Sequence, residues 1–312
     1  MAEPLLSVKS LRVDYEDITA VDDVSFEVEA GMVYGLIGPN GAGKTSIIRV
    51  IATLLQPTYG QVRLCDIDLL GDPLRALSHL GFMPDMPPLY DDLYVEEFLQ
   101  LFASAYGLFG AAQTKRIDEL LDKVQLSEKR KTPAGELSRG MKQRLFLAKT
   151  LLHDPKVLLL DEPASGLDPR ARLDLRDVIV ELGRAGKAVV VSSHILAEMA
   201  DFCNSVGIME RGKLLLSGRI DDILKQLRPG LLIRVRLLSP DDRIGPLLGG
   251  SPGVSEVETD GAQSTFKLAG DGEAAANLLR DLIQKDFRVA EYREMTSNLQ
   301  DIFLQVSSGR VS

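Results

Sequence analysis

The sequence has few cysteines and no long apolar segment, and each of these features excludes certain classes of protein. Its two cysteines, Cys65 and Cys203, lie far apart without metal-ligand spacing around either, which disfavours a disulfide framework and a zinc site. No apolar run approaches the roughly 18 to 20 residues that cross a bilayer. Residues 1–17 lack the basic start and apolar stretch of a secretory signal. We therefore expect a cytosolic protein that meets a membrane only through a partner.

The charge balance is acidic, and the length exceeds that of an average domain. The 312 residues include 36 lysines and arginines and 45 aspartates and glutamates, giving a formal net charge of -9. Nucleic acid and anionic membrane surfaces repel an acidic chain, so nonspecific binding to either is not expected. The length predicts one large domain and a smaller one.

The first part of the chain alternates between strand and helix patterns. Strand patterns occur at residues 5–26, 33–37, 60–70, 157–161 and 188–192. Helical spacing occurs at residues 45–55 and 171–182, and it fills an insertion at about residues 90–153. Continuous apolar strands that alternate with helices predict a mostly parallel sheet covered on both faces.

After Gly218 the pattern changes to that of a small α+β domain. Strands are predicted at residues 231–238, 254–258, 264–268 and 288–293, and helices at residues 243–248, 273–285 and 299–306. This order is typical of a split βαβ fold. We therefore predict two domains, residues 1–218 and 219–312. The second has no nucleotide motif and no cluster of titratable groups, and we interpret it as a regulatory or dimer-stabilising module.

A glycine-rich loop between the second strand pattern and the first helix has the full phosphate-binding motif, Gly38-Pro39-Asn40-Gly41-Ala42-Gly43-Lys44-Thr45. Its glycines let backbone N–H groups turn inward around phosphate oxygens, and the helix N-terminus adds a favourable field. Lys44 is expected to reach the β- and γ-phosphates, and the Thr45 hydroxyl to ligate Mg²⁺. Ser46, the residue after Thr45, is also predicted to bind the nucleotide. A turn that binds nothing would not need a lysine and a threonine at its end.

Two carboxylates end a later buried strand, Val157-Leu158-Leu159-Leu160-Asp161-Glu162. Asp161 is expected to hold the magnesium ion directly or through water, and Glu162 to polarise the attacking water. The alternative is a strand that ends in a solvated acidic turn. The complete phosphate-binding motif upstream favours the roles in magnesium binding and catalysis.

Together with further motifs, these segments resemble the ATP-binding cassettes, or ABC ATPases. The segment Leu137-Ser138-Arg139-Gly140-Met141-Lys142-Gln143-Arg144 resembles the signature motif of the family, and Ser165-Gly166-Leu167-Asp168 resembles its D-loop. His194 is similar to the switch histidine, and Tyr15 to the aromatic residue that stacks on adenine. The resemblance covers about residues 5–218, and it is closest to the ATPases of ABC-2-type exporters, which often carry a C-terminal extension.

The resemblance implies a fold and a reaction. The fold is an α/β P-loop NTPase core with an antiparallel β subdomain and a helical insertion, followed by a small C-terminal α+β domain. ATP and Mg²⁺ would lie between two cassettes in a head-to-tail homodimer. Ser138 and the backbone of Gly140 would contact the γ-phosphate held by Lys44 of the partner subunit. Glu162, His194 and Lys44 are the implied catalytic residues.

The implied partners are separate integral-membrane permease subunits, which would place this subunit at the cytoplasmic face of the cell membrane. One alternative is an ABC ATPase that acts on nucleic acid or ribosomes. The acidic charge, the single cassette and the lack of a long charged heptad insertion disfavour nucleic acid. Another alternative is a noncatalytic nucleotide-binding regulator, which would require Glu162 to be dispensable.

The sequence departs from the family pattern in two places. Arg139 and Met141 stand where the commonest signature has Gly and Gln, but Ser138 and Gly140 remain, so function is expected to survive. The second departure is Asp85, which follows an apolar strand and a proline where the family usually has a glutamine. Its carboxylate is a candidate magnesium ligand, directly or through water. The alternative is that Asp85 is an ordinary loop residue.

Overall fold

The chain forms two compact units, Met1–Arg219 and Ile220–Ser312. The computed structural model describes residues 3–86, 88–195, 199, 202–227 and 230–295. Within these residues, no helix combines the length and the apolar character needed to span a bilayer.

The first unit is built on an antiparallel sheet and a mostly parallel one. Its strands are, in chain order, β1 (Leu6–Tyr15), β2 (Ile18–Val28), β3 (Val33–Ile37), β4 (Tyr59–Leu64), β5 (Ile67–Asp68), β6 (Leu80–Met83), β7 (Val157–Leu160), β8 (Ala188–Ser193), β9 (Ser205–Glu210) and β10 (Lys213–Arg219). The antiparallel sheet has the order β2-β1-β4-β5. The other sheet has the order β10-β9-β3-β8-β7-β6 and is parallel except for its β9–β10 pair. The predicted parallel core and antiparallel subdomain are confirmed.

The helices of this unit are α1 (Lys44–Ile51), α2 (Pro73–Leu77), α3 (Val95–Ala105), α4 (Gly110–Lys123), α5 (Arg139–Thr150) and α6 (Pro169–Arg184). Helices α3 to α5 form the predicted helical insertion between β6 and β7. Two short 3-10 turns, Ser127–Lys129 and Ala134–Glu136, lie between α4 and α5.

The core fixes the position of α1. Strands β3, β7 and β8 are buried at every residue, as expected for strands covered on both faces of a parallel sheet. On α1, Ile47, Ile48 and Ile51 belong to a buried cluster that also contains residues from both sheets. The loop between β3 and α1 is therefore held at both ends by packed elements.

The second unit is an α+β domain. Its elements are α7 (Ile220–Leu227), β11 (Leu231–Leu237), α8 (Ile244–Gly249), β12 (Val254–Asp260), β13 (Gln263–Leu268), α9 (Gly272–Gln284) and β14 (Val289–Glu294). The antiparallel sheet has the order β12-β13-β11-β14, a split βαβ arrangement. Ile233 and Val235 of β11 share a core with Leu278 and Leu282 of α9. The predicted α+β domain is confirmed, and the helix predicted at residues 299–306 lies outside the described residues.

Candidate active site

The glycine-rich loop runs from β3 into α1. Gly43 has a φ of 101°, and a Cβ on this residue would lie 2.3 Å from the carbonyl oxygen of Ala20, so only glycine fits. No side chain caps the N-terminus of α1, which begins at Lys44. Its first N–H groups therefore lack a side-chain acceptor, and together with the helix dipole they attract an anion such as phosphate.

The side chain of Lys44 folds back onto the loop. Its Nζ donates hydrogen bonds to the carbonyl oxygens of Gly38 at 2.7 Å and Pro39 at 3.2 Å. Burial lowers the pKa of Lys44, and the negative charges of Glu162 and Asp161 oppose that shift. Lys44 is only 6% exposed, so it places a largely desolvated cation at the loop.

Asp161 and Glu162 directly follow β7. Asp161 is 5% exposed, and its backbone N–H donates to the carbonyl oxygen of Met83 at the end of β6. Glu162 has a φ of 47°, which residues other than glycine rarely adopt. Such a conformation costs about 1–3 kcal/mol and concentrates at functional sites. The backbone therefore leaves the strand conformation at Glu162.

The Glu162 carboxylate lies between two basic groups. Its Oε2 accepts a hydrogen bond from Nδ1 of His194 at 2.9 Å, and its Oε1 lies 3.9 Å from Nζ of Lys44. An ionised carboxylate can only accept, so Nδ1 of His194 carries the proton. Glu162 is 17% exposed and His194 is 41% exposed, so solvent reaches this pair.

A cavity of about 450 Å³ lies over the loop. It is lined by Ala20, Asn40, Gly41, Ala42, Gly43, Lys44, Thr45, Ser46, Asp85, Glu162, Ser165 and His194. A volume in this range suits a small organic ligand. The structure thus brings the predicted catalytic residues and most of the predicted loop residues to one space.

The predicted magnesium ligands differ in whether they reach the cavity. Thr45 and Asp85 border the cavity, whereas Asp161 is buried at the end of β7 and is not among the lining residues. The carbonyl oxygen of Asp85 accepts a hydrogen bond from Nε2 of Gln143, at 3.5 Å, which connects this loop to α5. Asp85 therefore lies at the cavity.

Tyr15 lies beside the cavity, at the end of β1. Its hydroxyl is 3.3 Å from Oγ of Ser46, in the first turn of α1, and 41% of the residue is exposed. It is not among the lining residues, and neither are Gly38 and Pro39, whose carbonyl groups bind Lys44. A ring in this position is available to a ligand that extends out of the cavity.

The signature residues lie away from the cavity of their own chain. Ser138 is exposed and caps α5, its Oγ accepting a hydrogen bond from the N–H of Met141 at 3.3 Å. Gly140 is buried, and a Cβ on it would lie 2.7 Å from the Cβ of Ala171 on α6. Neither Ser138 nor Gly140 lines the cavity. Within one chain, the structure does not bring the signature motif to the phosphate-binding loop.

The structure also places residues at the site that the motifs did not assign to it. Ala20 and Ser165 line the cavity. The hydroxyl of Ser192 donates to Oδ1 of Asp161 at 2.6 Å and accepts from the N–H of Glu162 at 2.9 Å. Ser165 begins the segment that resembles a D-loop, so it had a sequence signal. Ala20 and Ser192 belong to no assigned motif. Ser192 reaches the site through the pairing of β8 with β7, whereas Ala20 lies on β2 of the antiparallel sheet, and its carbonyl oxygen faces Gly43.

The fold and the site define a P-loop protein that binds and hydrolyses nucleotide. The ABC transporter family model matches residues 21–165, and a model of the C-terminal domain of DrrA1-3-like ATP-binding proteins matches residues 218–307. The uncharacterized ABC transporter ATP-binding protein YxlF of Bacillus subtilis is 35% identical over 303 residues, covering 97% of this chain and 99% of that protein. Nod factor export ATP-binding protein I of Ralstonia nicotianae is 33% identical over 307 residues, covering 97% of this chain and 94% of that protein.

A solved structure of an ATP-binding subunit of an ABC transporter is 34% identical and superposes with a TM-score of 0.65, covering 72% of this chain and 93% of that chain. The chain therefore belongs to the ABC transporter ATP-binding proteins. The predicted family, fold class and ATPase activity are confirmed.

Proposed function

We propose that this chain is the ATPase subunit of an exporter and that two copies close head to tail around two ATP molecules. The observation that carries the proposal is the position of Glu162, held between Lys44 and His194 at the cavity over the phosphate-binding loop. In that arrangement, Lys44 supplies a cation that can bind phosphate, and Glu162 supplies a positioned carboxylate that can activate water. These are the parts that phosphoryl transfer to water requires.

Each catalytic residue has a separate task in this proposal. Lys44 exchanges its loop carbonyl partners for the β- and γ-phosphate oxygens of ATP. Glu162 accepts a proton from the attacking water as it approaches the γ-phosphate. His194 holds the Glu162 carboxylate in place through its Nδ1–H. Tyr15 stacks on the adenine, and residues 38–46 bind the phosphates.

The oxygen ligands at the cavity fit magnesium. Among the described residues, no group of three or more His, Cys, Asp and Glu side chains could hold a metal by itself. Mg²⁺ in nucleotide sites takes one or two protein oxygens and completes its shell with phosphate oxygens and water. Thr45, Asp161 and Asp85 are the residues that would hold it, and the ion would neutralise charge developing on the phosphates.

The position of the signature motif supports a contact in trans. Ser138 and Gly140 lie at the start of α5, a helix N-terminus suited to an anion, but they do not line the cavity of their own chain. In the proposed dimer they contact the γ-phosphate bound by the partner subunit. Closure then depends on ATP, and hydrolysis reopens the dimer.

Export and membrane coupling rest on the relatives. The Ralstonia nicotianae relative is an export ATP-binding protein that aligns over nearly the whole of both chains. We therefore assign this chain to an exporter in which separate integral-membrane permease subunits carry the substrate path. The subunit would bind them at the cytoplasmic face of the membrane. The domain at residues 219–312 would regulate or stabilise the closed dimer.

The test of the dimer is the Glu162→Gln variant. It should bind ATP but fail to hydrolyse it, so light scattering with ATP and Mg²⁺ should show a stable dimer. Glu181→Gln, at a 60% exposed position on α6, is the matched control and should turn over ATP like the unmodified chain. A Glu162→Gln protein that remains monomeric with saturating ATP and Mg²⁺ would contradict the proposal.

The test of the transporter assignment is an affinity pull-down from gently solubilised native membranes, with the retained proteins identified by mass spectrometry. Recovery of an integral-membrane protein in comparable amount supports the assignment. Recovery of only ribosomes, nucleic acid or proteins without membrane spans would remove the transport claim and leave the ATPase activity intact.

A further inference from the structure

Ser192 lies at the point where the two site carboxylates leave the sheet. The last β7–β8 pair joins Leu160 to Val191, so Ser192 is the next residue along β8, level with Asp161. On its other side β8 pairs with β3, where Ser192 is opposite Leu36. Ser192 is fully buried in this central strand. Its side chain therefore has a fixed place beside Asp161.

The hydroxyl of Ser192 contacts both carboxylate residues. It donates to Oδ1 of Asp161 at 2.6 Å and accepts from the backbone N–H of Glu162 at 2.9 Å. A hydroxyl has one proton, and an ionised carboxylate only accepts. The proton of Ser192 is therefore directed at Asp161, and a lone pair is directed at Glu162.

The contact with Glu162 replaces a bond that the sheet no longer supplies. Glu162 has left the extended conformation, with its φ of 47°, so its N–H does not continue the β7–β8 ladder. Ser192 provides the acceptor for this N–H group in place of a strand carbonyl. The same hydroxyl thus supports the turn that brings the Glu162 carboxylate to His194, and it fixes the Asp161 carboxylate just beyond the end of β7.

We propose that Ser192 is a positioning residue for ATP hydrolysis, which orients Asp161 toward the magnesium ion and Glu162 toward the attacking water. The proposal rests on the roles assigned to Asp161 and Glu162 in the proposed function. Ser192 touches neither nucleotide nor metal in this account. Its effect on turnover passes entirely through the two residues that it binds.

The decisive pair of variants is Ser192→Thr and Ser192→Val, which have the same shape and differ in the hydroxyl. Both are measured in the full chain for kcat and KM with ATP, and for ATP affinity with Mg²⁺ and with a chelator. Ser192→Val should lose about 10- to 100-fold in kcat, the usual loss when a residue that orients a metal ligand is removed. Mg²⁺ should raise the ATP affinity of this variant much less than it raises that of the unmodified chain. ATP affinity measured with a chelator should be unchanged. Ser192→Thr should retain both properties.

The control is Ser205→Ala. Ser205 is a buried serine on β9 of the same sheet, and its Oγ has no hydrogen-bond partner among the described residues. It should keep normal kcat and normal magnesium dependence. Equal kcat and equal magnesium dependence in Ser192→Thr and Ser192→Val would overturn the proposal, because the two side chains have the same shape and differ only in the hydroxyl.

Glu162→Gln, assayed together with these variants, distinguishes a failure of the Ser192 proposal from a failure of the catalytic role proposed for Glu162. If Glu162→Gln hydrolyses ATP normally, the role assigned to Glu162 fails, and the positioning role of Ser192 fails with it. If Glu162→Gln is inactive but Ser192→Val matches Ser192→Thr, the catalytic role stands and the Ser192 proposal alone is refuted.

Discussion

Nδ1 of His194 donates to Oε2 of Glu162 at 2.9 Å, although 32 positions separate the two residues in the chain. Glu162 follows β7 and His194 follows β8, and these strands are parallel neighbours. The carboxyl ends of parallel strands lie at one edge of a sheet, which is where such folds bind ligands. Strand order therefore produces the contact, and the contact holds the carboxylate at the cavity.

Replacing His194 with alanine should lower kcat by about 10²-fold or more, because the carboxylate that accepts the water proton loses its positioning partner. Asparagine has an amide N–H that can take the place of Nδ1, so His194→Asn should retain more turnover. His194 is 41% exposed, so unfolding free energy should change by no more than about 0.5 kcal/mol.

The control for this variant is His79→Ala, because His79 does not line the cavity. Steady-state hydrolysis and chemical denaturation of the three variants test the prediction. Equal kcat values in His194→Ala and His79→Ala would show that the 2.9 Å contact has no catalytic role.

The sequence predicts those parts of the fold whose signal is local. The phosphate-binding loop, the apolar β7 and the apolar first four residues of β8 are readable because each has its pattern in consecutive residues. The sequence pattern does not distinguish β9 and β10. β10 is an edge strand of alternating intermediate and exposed residues, so its apolar signal is weak.

The helix predicted over residues 45–55 ends at Ile51 in the structure. Thr53 beyond it has a φ of 59°, which a right-handed helix does not contain.

The residues of the site also divide into those with a local sequence signal and those without one. Lys44, Thr45, Asp161 and Glu162 lie in contiguous motifs, so their spacing alone indicates their chemistry. The hydrogen bonds of Ser192 depend on which strand lies beside β7, and no local pattern contains that information.

Replacing Lys44 with alanine should reduce ATP hydrolysis by about 10²- to 10³-fold, the usual loss when one group that stabilises transition-state charge is removed. It should also weaken ATP binding, because the loop loses the cation that contacts the phosphates. Lys115→Ala is the control, since Lys115 is 80% exposed and pairs only loosely with Glu119 at 4.0 Å. Near-normal turnover in Lys44→Ala would show that the loop does not bind phosphate as described.

Below neutral pH, His153 should make stability depend on pH. Its Nε2–H donates to the carbonyl oxygen of Leu80 at 2.9 Å, its ring stacks on Tyr106, and its Nδ1 is buried without a partner among the described residues. Burial lowers the pKa of His153, because the charged ring loses its solvation, and a second ring proton would also have no acceptor at Nδ1. The folded chain therefore takes up this proton at a lower pH than the unfolded chain, whose histidine has a pKa of about 6.5.

The sign follows from proton uptake. As pH falls below about 6.5, the unfolded state binds the proton first, so the free energy of unfolding decreases until the folded state is protonated as well. The slope from this one group is at most about 1.4 kcal/mol per pH unit. His153→Phe keeps an aromatic ring beside Tyr106 and should flatten this part of the profile. Denaturation midpoints measured across that range test the difference, and an unchanged slope in His153→Phe would assign the effect to other groups.

Gly140 has two explanations, helix packing and a nucleotide contact in trans, and a pair of substitutions separates them. A Cβ on Gly140 would lie 2.7 Å from the Cβ of Ala171, so Gly140→Ala should push α5 from α6 at a cost of about 1–3 kcal/mol. Adding Ala171→Gly removes the clash, because the next atom of Ala171 near that position, its Cα, is 3.9 Å away.

The double variant should recover stability, since the alanine gained in α5 offsets the glycine introduced in α6, each worth about 1 kcal/mol of helix propensity. It should also recover ATP hydrolysis and ATP-driven dimerisation, because the added methyl group points at α6 and the Gly140 backbone N–H is retained. Thermal unfolding and light scattering with ATP report the two properties separately. A double variant that regains stability but still fails to hydrolyse ATP would mean that the bare backbone of Gly140 is itself required at the nucleotide, beyond its packing against Ala171.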